Sequence, residues 1–194
     1  MKTEKKLTSE ELFQKFGKKK EHALQVQNYS EKLFNIIDGS LENFPAKAKE
    51  YLKIAAYLHD IGYSVEKKSH HKHTMTLILE NGIDGFSDVE TRIIANIARY
   101  HRASFPSVDR HEEYAKLSEE DRMLVQKLSA ILRMADGLDK PEKNLILRIE
   151  MQNLPDSIVF TVKTVGFKPK LIAAKEKSDL FEYVFKKEVS FVNQ

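Results

Sequence analysis

The chain has 194 residues, 41% of them hydrophobic, and a formal net charge of +3. That is enough apolar mass for one folded domain, or one domain with a small appendage, and it excludes a wholly disordered chain. The lack of cysteine excludes disulfides and thiolate metal sites and fits a cytoplasmic setting, no apolar run reaches the roughly 18 residues of a membrane span, and so small a charge does not make nucleic acid the main partner.

Thr8 and Glu11 carry the signature of a capping box, opening a short helix with Leu12, Phe13 and Phe16 on one side that ends near Gly17. Lys18, Lys19 and Lys20 then make a solvated basic turn. A second helix is predicted over residues 21–37, with His22, Val26, Tyr29, Leu33, Ile36 and Ile37 in one stripe, so that His22 heads an inward row. Pro45 suits the first turn of a third helix, which carries Leu52, Ala55, Ala56 and His59 and stops at Gly62. A fourth covers residues 70–81 and closes on Gly82. Ser87 and Glu90 form a second capping box, ahead of a face made by Val89, Ile93, Ile94, Ile97 and His101. Residues 105–117 read as a loop that carries His111. Ser118 caps a long helix through Asp139, with Val125, Leu128, Leu132 and Asp136 on one side, and Pro141 stops it.

The period then changes. Leu145, Leu147, Ile149 and Met151 alternate with Ile146, Arg148 and Glu150, as in a strand. Residues 153–157, with Pro155 and Asp156, form a turn, and the β-branched run 158–165 is the partner strand. A helix over 178–187 and a strand over 189–192 complete a β-β-α-β tail. The expected fold class is mainly α: a helical bundle over residues 1–142 with a small α/β extension over 143–194.

The residues that carry chemistry are His22, the adjacent pair His59 and Asp60, and Asp136. Alone, His22 reads as a capped or core histidine, and Asp136 as a hydrogen-bonded carboxylate. Together, on inward stripes of separate helices, they would cost kilocalories each to bury unless paired or bound to metal. His and carboxylate suit a divalent ion of borderline or hard character. His59 and Asp60 stand about 100° apart on a helix, so from a helix end they reach one ion together or one ion each. Such an ion neutralises phosphate oxygens and activates water, which makes a metal-dependent phosphohydrolase the leading expectation.

The segments AAYLHDIG and ILRMADGLD resemble the two signature segments of the HD-domain superfamily of metal-dependent phosphohydrolases. More closely, HALQV, LHDIGYSV, HHKHTMTLI, GFSDVE, IARYHR and LSAILRMADGLDK resemble the C-terminal HD region of the exopolyphosphatase/guanosine pentaphosphatase (Ppx/GppA) family, over about residues 20–140. The resemblance implies an HD-type helical bundle with a small α/β end. It places His22, His59, Asp60 and Asp136 on the metal-ligand positions, with Asp60 also orienting water or bridging two ions. It places His70 and His101 on the ligands of a second ion; His71 and His73 stand beside His70 as alternatives. Arg99, Arg102 and Arg133 flank these positions and suit bidentate phosphate contacts. Where many HD enzymes carry a lysine after the His-Asp-Ile-Gly segment, this chain has Tyr63. Full-length members of the family also carry an actin-like ATPase half, to which polyphosphate hydrolysis belongs. These residues contain no such half, so the resemblance implies the chemistry of the metal module and not exopolyphosphatase activity.

The activity expected is hydrolysis of a phosphomonoester or phosphoanhydride, on a nucleotide, with one or two ions of manganese, iron, cobalt, nickel, zinc or magnesium. The alternative is a regulatory module that binds polyphosphate or guanosine polyphosphates without turnover. A third reading is a helical scaffold that pairs two copies as a homodimer.

Overall fold

In the computed structural model, which describes residues 5–140, 146–166 and 171–194, the apolar stripes of the sequence close into a helical bundle with a small sheet at its C-terminal end. The expected stop at Pro141, the start of the first strand at Leu145 and the boundary between the two parts lie outside the described residues.

The bundle is built from α1 (Ser9–Phe16), α2 (Lys20–Ile37), α3 (Ala48–Leu58), a 3-10 turn (Ile61–Ser64), α4 (His70–Asn81), α5 (Asp88–Arg99), α6 (Glu112–Ala115) and α7 (Glu119–Leu138). Both capping boxes form, Thr8 with Glu11 and Ser87 with Glu90, and the Ser118 hydroxyl accepts the Asp121 N–H. Each satisfies backbone donors that the start of a helix leaves open. The core gathers Val26, Leu33 and Ile37 from α2, Leu52, Ala55 and Ala56 from α3, Ile94 and Ile97 from α5, and Val125, Leu128 and Leu132 from α7. From Leu128 to Leu138 every residue of α7 is buried, so this helix is covered all round rather than along one stripe.

The extension holds β1 (Ile146–Asn153), β2 (Ser157–Thr164), α8 (Ile172–Glu176), α9 (Asp179–Phe185) and β3 (Glu188–Asn193). The sheet order is β1-β2-β3, antiparallel then parallel, with β2 in the middle. Ile158, Phe160 and Val162 alternate inward from β2 and meet Leu180 and Phe181 of α9 in the core. Both α8 and α9 pack on α7, so the long helix is the seam between bundle and extension. The molecule is thus mainly α with a small C-terminal α/β extension, as expected.

Several local expectations are corrected. α3 begins at Ala48, and Pro45 lies in the turn before it, accepting the Ala48 N–H at 2.9 Å. Val89 is 49% exposed, because residues 87–89 are exposed as a group and α5 enters the core only from its second turn. The predicted loop at 105–117 contains α6, anchored by the buried Tyr114. The tail helix expected over 178–187 is α9, and a further short helix, α8, precedes it, parted from it at the buried Ser178, whose hydroxyl donates to the Lys175 carbonyl at 2.7 Å. In β1 the expected alternation fails at Leu147, which is 56% exposed while Ile146 and Ile149 are buried. A register shift between Ile146 and Arg148 inserts one residue and switches the parity of the strand.

One close approach holds the 3-10 turn against the start of α4. The Gly62 N–H donates to the Thr74 hydroxyl at 3.0 Å, and that hydroxyl donates to the His59 carbonyl at 2.9 Å. A Cβ on Gly62 would run into the His70 carbonyl oxygen. Gly62→Ala is expected to lower stability by about 3 kcal/mol, the upper end for overpacking against backbone. Urea unfolding followed by far-UV circular dichroism checks this; a midpoint equal to wild type would show that α4 yields freely.

Candidate metal centre

The polar side chains singled out in the sequence sit at helix ends. His22 is in the first turn of α2, His59 is the C-cap of α3, and Asp60 follows it into the 3-10 turn. His70 opens α4, His101 lies two residues past α5, and Asp136 is in the last turn of α7. The six converge. His22, His59 and Asp136 form one group, and Asp60, His70 and His101 another, each with donor atoms within 4.8 Å of one another. Asp60 stands between them. Its Oδ2 is 3.7 Å from His22 Nε2 and 3.5 Å from His59 Nε2, while its Oδ1 is 3.1 Å from His70 Nε2 and 3.6 Å from His101 Nε2. Asp136 Oδ1 is 3.6 Å from His22 Nε2.

The imidazoles are held from behind. Nδ1 of His59, His70 and His101 lies 2.7, 2.9 and 2.7 Å from the carbonyls of Ala56, Lys67 and Ala98. Nδ1 of His22 lies 2.7 Å from Asp139 Oδ2. A carbonyl or carboxylate only accepts, so each Nδ1 carries a proton and each ring turns its Nε2 inward. His59 Nε2 is buried with no hydrogen-bond partner. The Nε2 atoms of His70 and His101 face each other at 3.2 Å. Nitrogen and oxygen donors, second ring nitrogens fixed by acceptors and no thiolate together fit a divalent ion of the borderline or hard class.

The electrostatics agree. Burial pushes the Asp60 carboxyl up, but the surrounding imidazoles, His59 first and then His70 and His101, hold it well below the usual carboxylate range. Burial also raises Asp136, and the Lys177 ammonium, His59 and His101 outweigh it, bringing it to about 2. Complete burial drives His101 well below the ordinary histidine value. For His22, burial acts downward but the carboxylates of Asp139, Asp136 and Asp60 prevail and raise it. Ionised carboxylates beside inward-turned imidazole nitrogens suit a cation.

All of these donors but His59 line a cleft of about 300 Å³ that also carries Lys19, Arg102, Lys140 and Lys177. Arg102 is therefore where a phosphate contact is expected. Arg133 also reaches the cleft, but its Nη1 bonds the Tyr100 and Ala103 carbonyls at 3.4 and 3.2 Å and its Nη2 bonds Asp179 at 2.6 Å. It acts as a strut. Arg99 does not line the cleft; its guanidinium lies over the Tyr100 ring at 5.5 Å. Of the three adjacent histidines, His70 is the one in the cluster. His71 is buried beside it, its value brought down to about 4 by burial and by the Arg99 charge, and His73 faces Glu66 at 3.4 Å. His111 is the N-cap residue of α6, and its Nδ1 accepts the Ser107 N–H at 3.1 Å.

Three residues of the site were not foreseen as such. Asp139 follows Asp136 by three positions, a helical spacing that puts both on one face and that sequence reading could have used. Tyr63 stacks on His70 with ring centroids 3.9 Å apart, in the place of the lysine common elsewhere. Lys177, from the extension, forms an ion pair with Asp136, and no sequence pattern announces it.

The family model described as Ppx/GppA phosphatase, domain III, matches residues 5–174. A guanosine-5'-triphosphate,3'-diphosphate pyrophosphatase from Pseudoalteromonas translucida (strain TAC 125) is 28% identical over 114 residues, which are 57% of this chain and 22% of that protein. The chain thus spans about a fifth of that relative's length.

The Asp139 contact behind His22 is a direct test of the donor set. Asp139→Ala frees the His22 ring, and affinity for manganese is expected to fall about 10- to 100-fold, the usual cost of losing such a partner. Isothermal titration of wild type and variant measures it; equal affinities would remove His22 from the ligands.

Proposed function

The chain belongs to the Ppx/GppA phosphatase domain III family, and from that membership together with the donor geometry we propose that it is a metal-dependent phosphohydrolase of the HD superfamily. The proposed reaction is hydrolysis of a phosphomonoester or phosphoanhydride, carried by a nucleotide. The observation behind it is a single carboxylate, Asp60, standing between two His/Asp groups under a cationic rim. In this reading residues 1–142 are the HD module, residues 143–194 are its extension, and the protein works in the cytoplasm. The relative's name specifies a guanosine with a 5'-triphosphate and a 3'-diphosphate, and a nucleotide of that class is the first substrate to try.

In the proposal His22, His59 and Asp136 would hold one ion and His70 and His101 a second, with the Asp60 carboxylate facing both groups. Manganese, iron, cobalt, nickel, zinc and magnesium are all compatible with such donors. Ions there supply neutralisation of the phosphoryl oxygens and a water of lowered pKa. The chain's own groups do the rest. Asp60, ionised, accepts a hydrogen bond from the attacking water and aligns it with phosphorus. Arg102 and the rim lysines hold the non-reacting phosphoryl oxygens and offset the charge that builds in the transition state. Asp139 keeps the Nδ1 proton on His22, so that Nε2 stays a donor atom.

Asp60→Ala removes the shared carboxylate and leaves the apolar stripes of the helices intact. Phosphate release from a nucleotide or a generic phosphoester, measured with added manganese, is expected to fall about a hundredfold or more, while the far-UV circular dichroism stays helical. A wild type that is silent across a wide panel of substrates and metals, yet binds polyphosphate, would replace this reading with the regulatory one.

A further inference from the structure

The rim cations are not equivalent. Arg133 is committed to two carbonyls and to Asp179. Lys177 is the rim cation seated directly on a member of the donor cluster, with its Nζ on Asp136 Oδ2. The other oxygen of that carboxylate, Oδ1, faces His22 Nε2. Asp136 therefore shows one oxygen to the imidazoles and one to the lysine, and the ammonium stands between the donor floor and the open cleft. Its side chain is 23% exposed, so it is reachable from the cleft.

The position of Lys177 is built rather than accidental. Lys177 is the C-cap of α8, and α8 lies so close to α7 that a Cβ on Gly137 would be 2.6 Å from the Ala173 carbonyl oxygen. The Arg133–Asp179 pair at 2.6 Å clamps the start of α9 on the other side of Lys177. Ser178, fully buried between them, ties its hydroxyl back to the Lys175 carbonyl. The family match ends at residue 174, so this lysine lies beyond it.

We propose that Lys177 is a phosphate contact delivered to the cleft by the C-terminal extension and parked on Asp136 while the cleft is empty. The proposal rests on the metal-dependent reading of the cluster. When the charge of Asp136 is shared with an ion, the ammonium gains more from a phosphoryl oxygen arriving in the cleft than from the carboxylate. Its three N–H donors and flexible stem allow the change of partner without moving α8. The extension then completes the substrate site, and the bundle alone does not.

The test uses the full chain and two probes, manganese and inorganic phosphate, by isothermal titration of wild type, Lys177→Met and Lys177→Arg. All three proteins are expected to bind manganese. With manganese bound, Lys177→Met should lose about tenfold or more in phosphate affinity, the loss of one charge-assisted contact, and Lys177→Arg should stay within about threefold of wild type. Equal phosphate affinity in wild type and Lys177→Met would overturn the proposal while leaving the metal reading intact. So would a loss in Lys177→Arg as large as in Lys177→Met, which marks a structural role. If none of the three binds manganese, the metal reading itself fails and the proposal goes with it.

Discussion

The convergence of four imidazole Nε2 atoms on one carboxylate, Asp60, is the constraint on which the rest of this structure depends. Buried donor atoms without partners cost stability, about 1–3 kcal/mol each. Here His59 Nε2 has no partner, and the His70 and His101 Nε2 atoms oppose each other at 3.2 Å. A chain folds around such a cluster only if apolar packing elsewhere carries it. The bundle supplies that packing through α2, α3, α5 and the fully enclosed α7. Function has been placed at the helix ends, where backbone carbonyls are free to hold imidazole rings. Ala56, Lys67 and Ala98 each use a carbonyl in this way, three residues before the histidine they orient.

That repeated i−3 contact links local structure to chemistry. In the last turns of α3 and α5, where helical carbonyls run short of partners, the ring nitrogen of the histidine three residues on bonds the Ala56 and Ala98 carbonyls, and the Lys67 carbonyl does the same from the connection before α4. The same bond fixes the ring and its tautomer, so one interaction satisfies the backbone and prepares a donor atom. For His22, in the first turn of α2, the Asp139 carboxylate at the end of α7 does the same work. Gly62 and Thr74 hold the turn after Asp60 against α4, which sets the distance from Asp60 to His70.

Positive charge around the cleft divides by how firmly each group is tied. Arg133 is buried with its Nη atoms engaged, and it braces the segment through Ala103, whose φ of +63° is unusual for a residue with a side chain. Arg102, three positions after the buried Arg99, is exposed at the rim. A planar guanidinium with several donors is equally suited to bracing carbonyls and to gripping phosphate. Which task it performs depends on what lies within reach, and that is a property of the fold.

Much of this was legible in the residues. Period 3.6 marked the helices, two capping boxes and Ser118 marked their starts, and the β-branched run at 158–165 marked β2 as a strand. His22, His59, Asp60 and Asp136 stood out because polar groups at the ends of apolar stripes are costly without partners, and the resemblance added His70 and His101. These signals are local, since a helix or strand face is written within about a dozen residues. The bulge at Leu147 escaped because alternation counts residues and cannot see one added against a partner strand. The different fates of Arg99, Arg102 and Arg133 escaped because all three look alike in sequence. Lys177 escaped because the 41 positions between it and Asp136 are closed only when α8 docks against Gly137. The sequence by itself determined the long helices, their inward stripes and the polar residues that are costly to bury alone. The tertiary structure alone decided which charges meet, because contacts between distant segments depend on packing that no local pattern encodes.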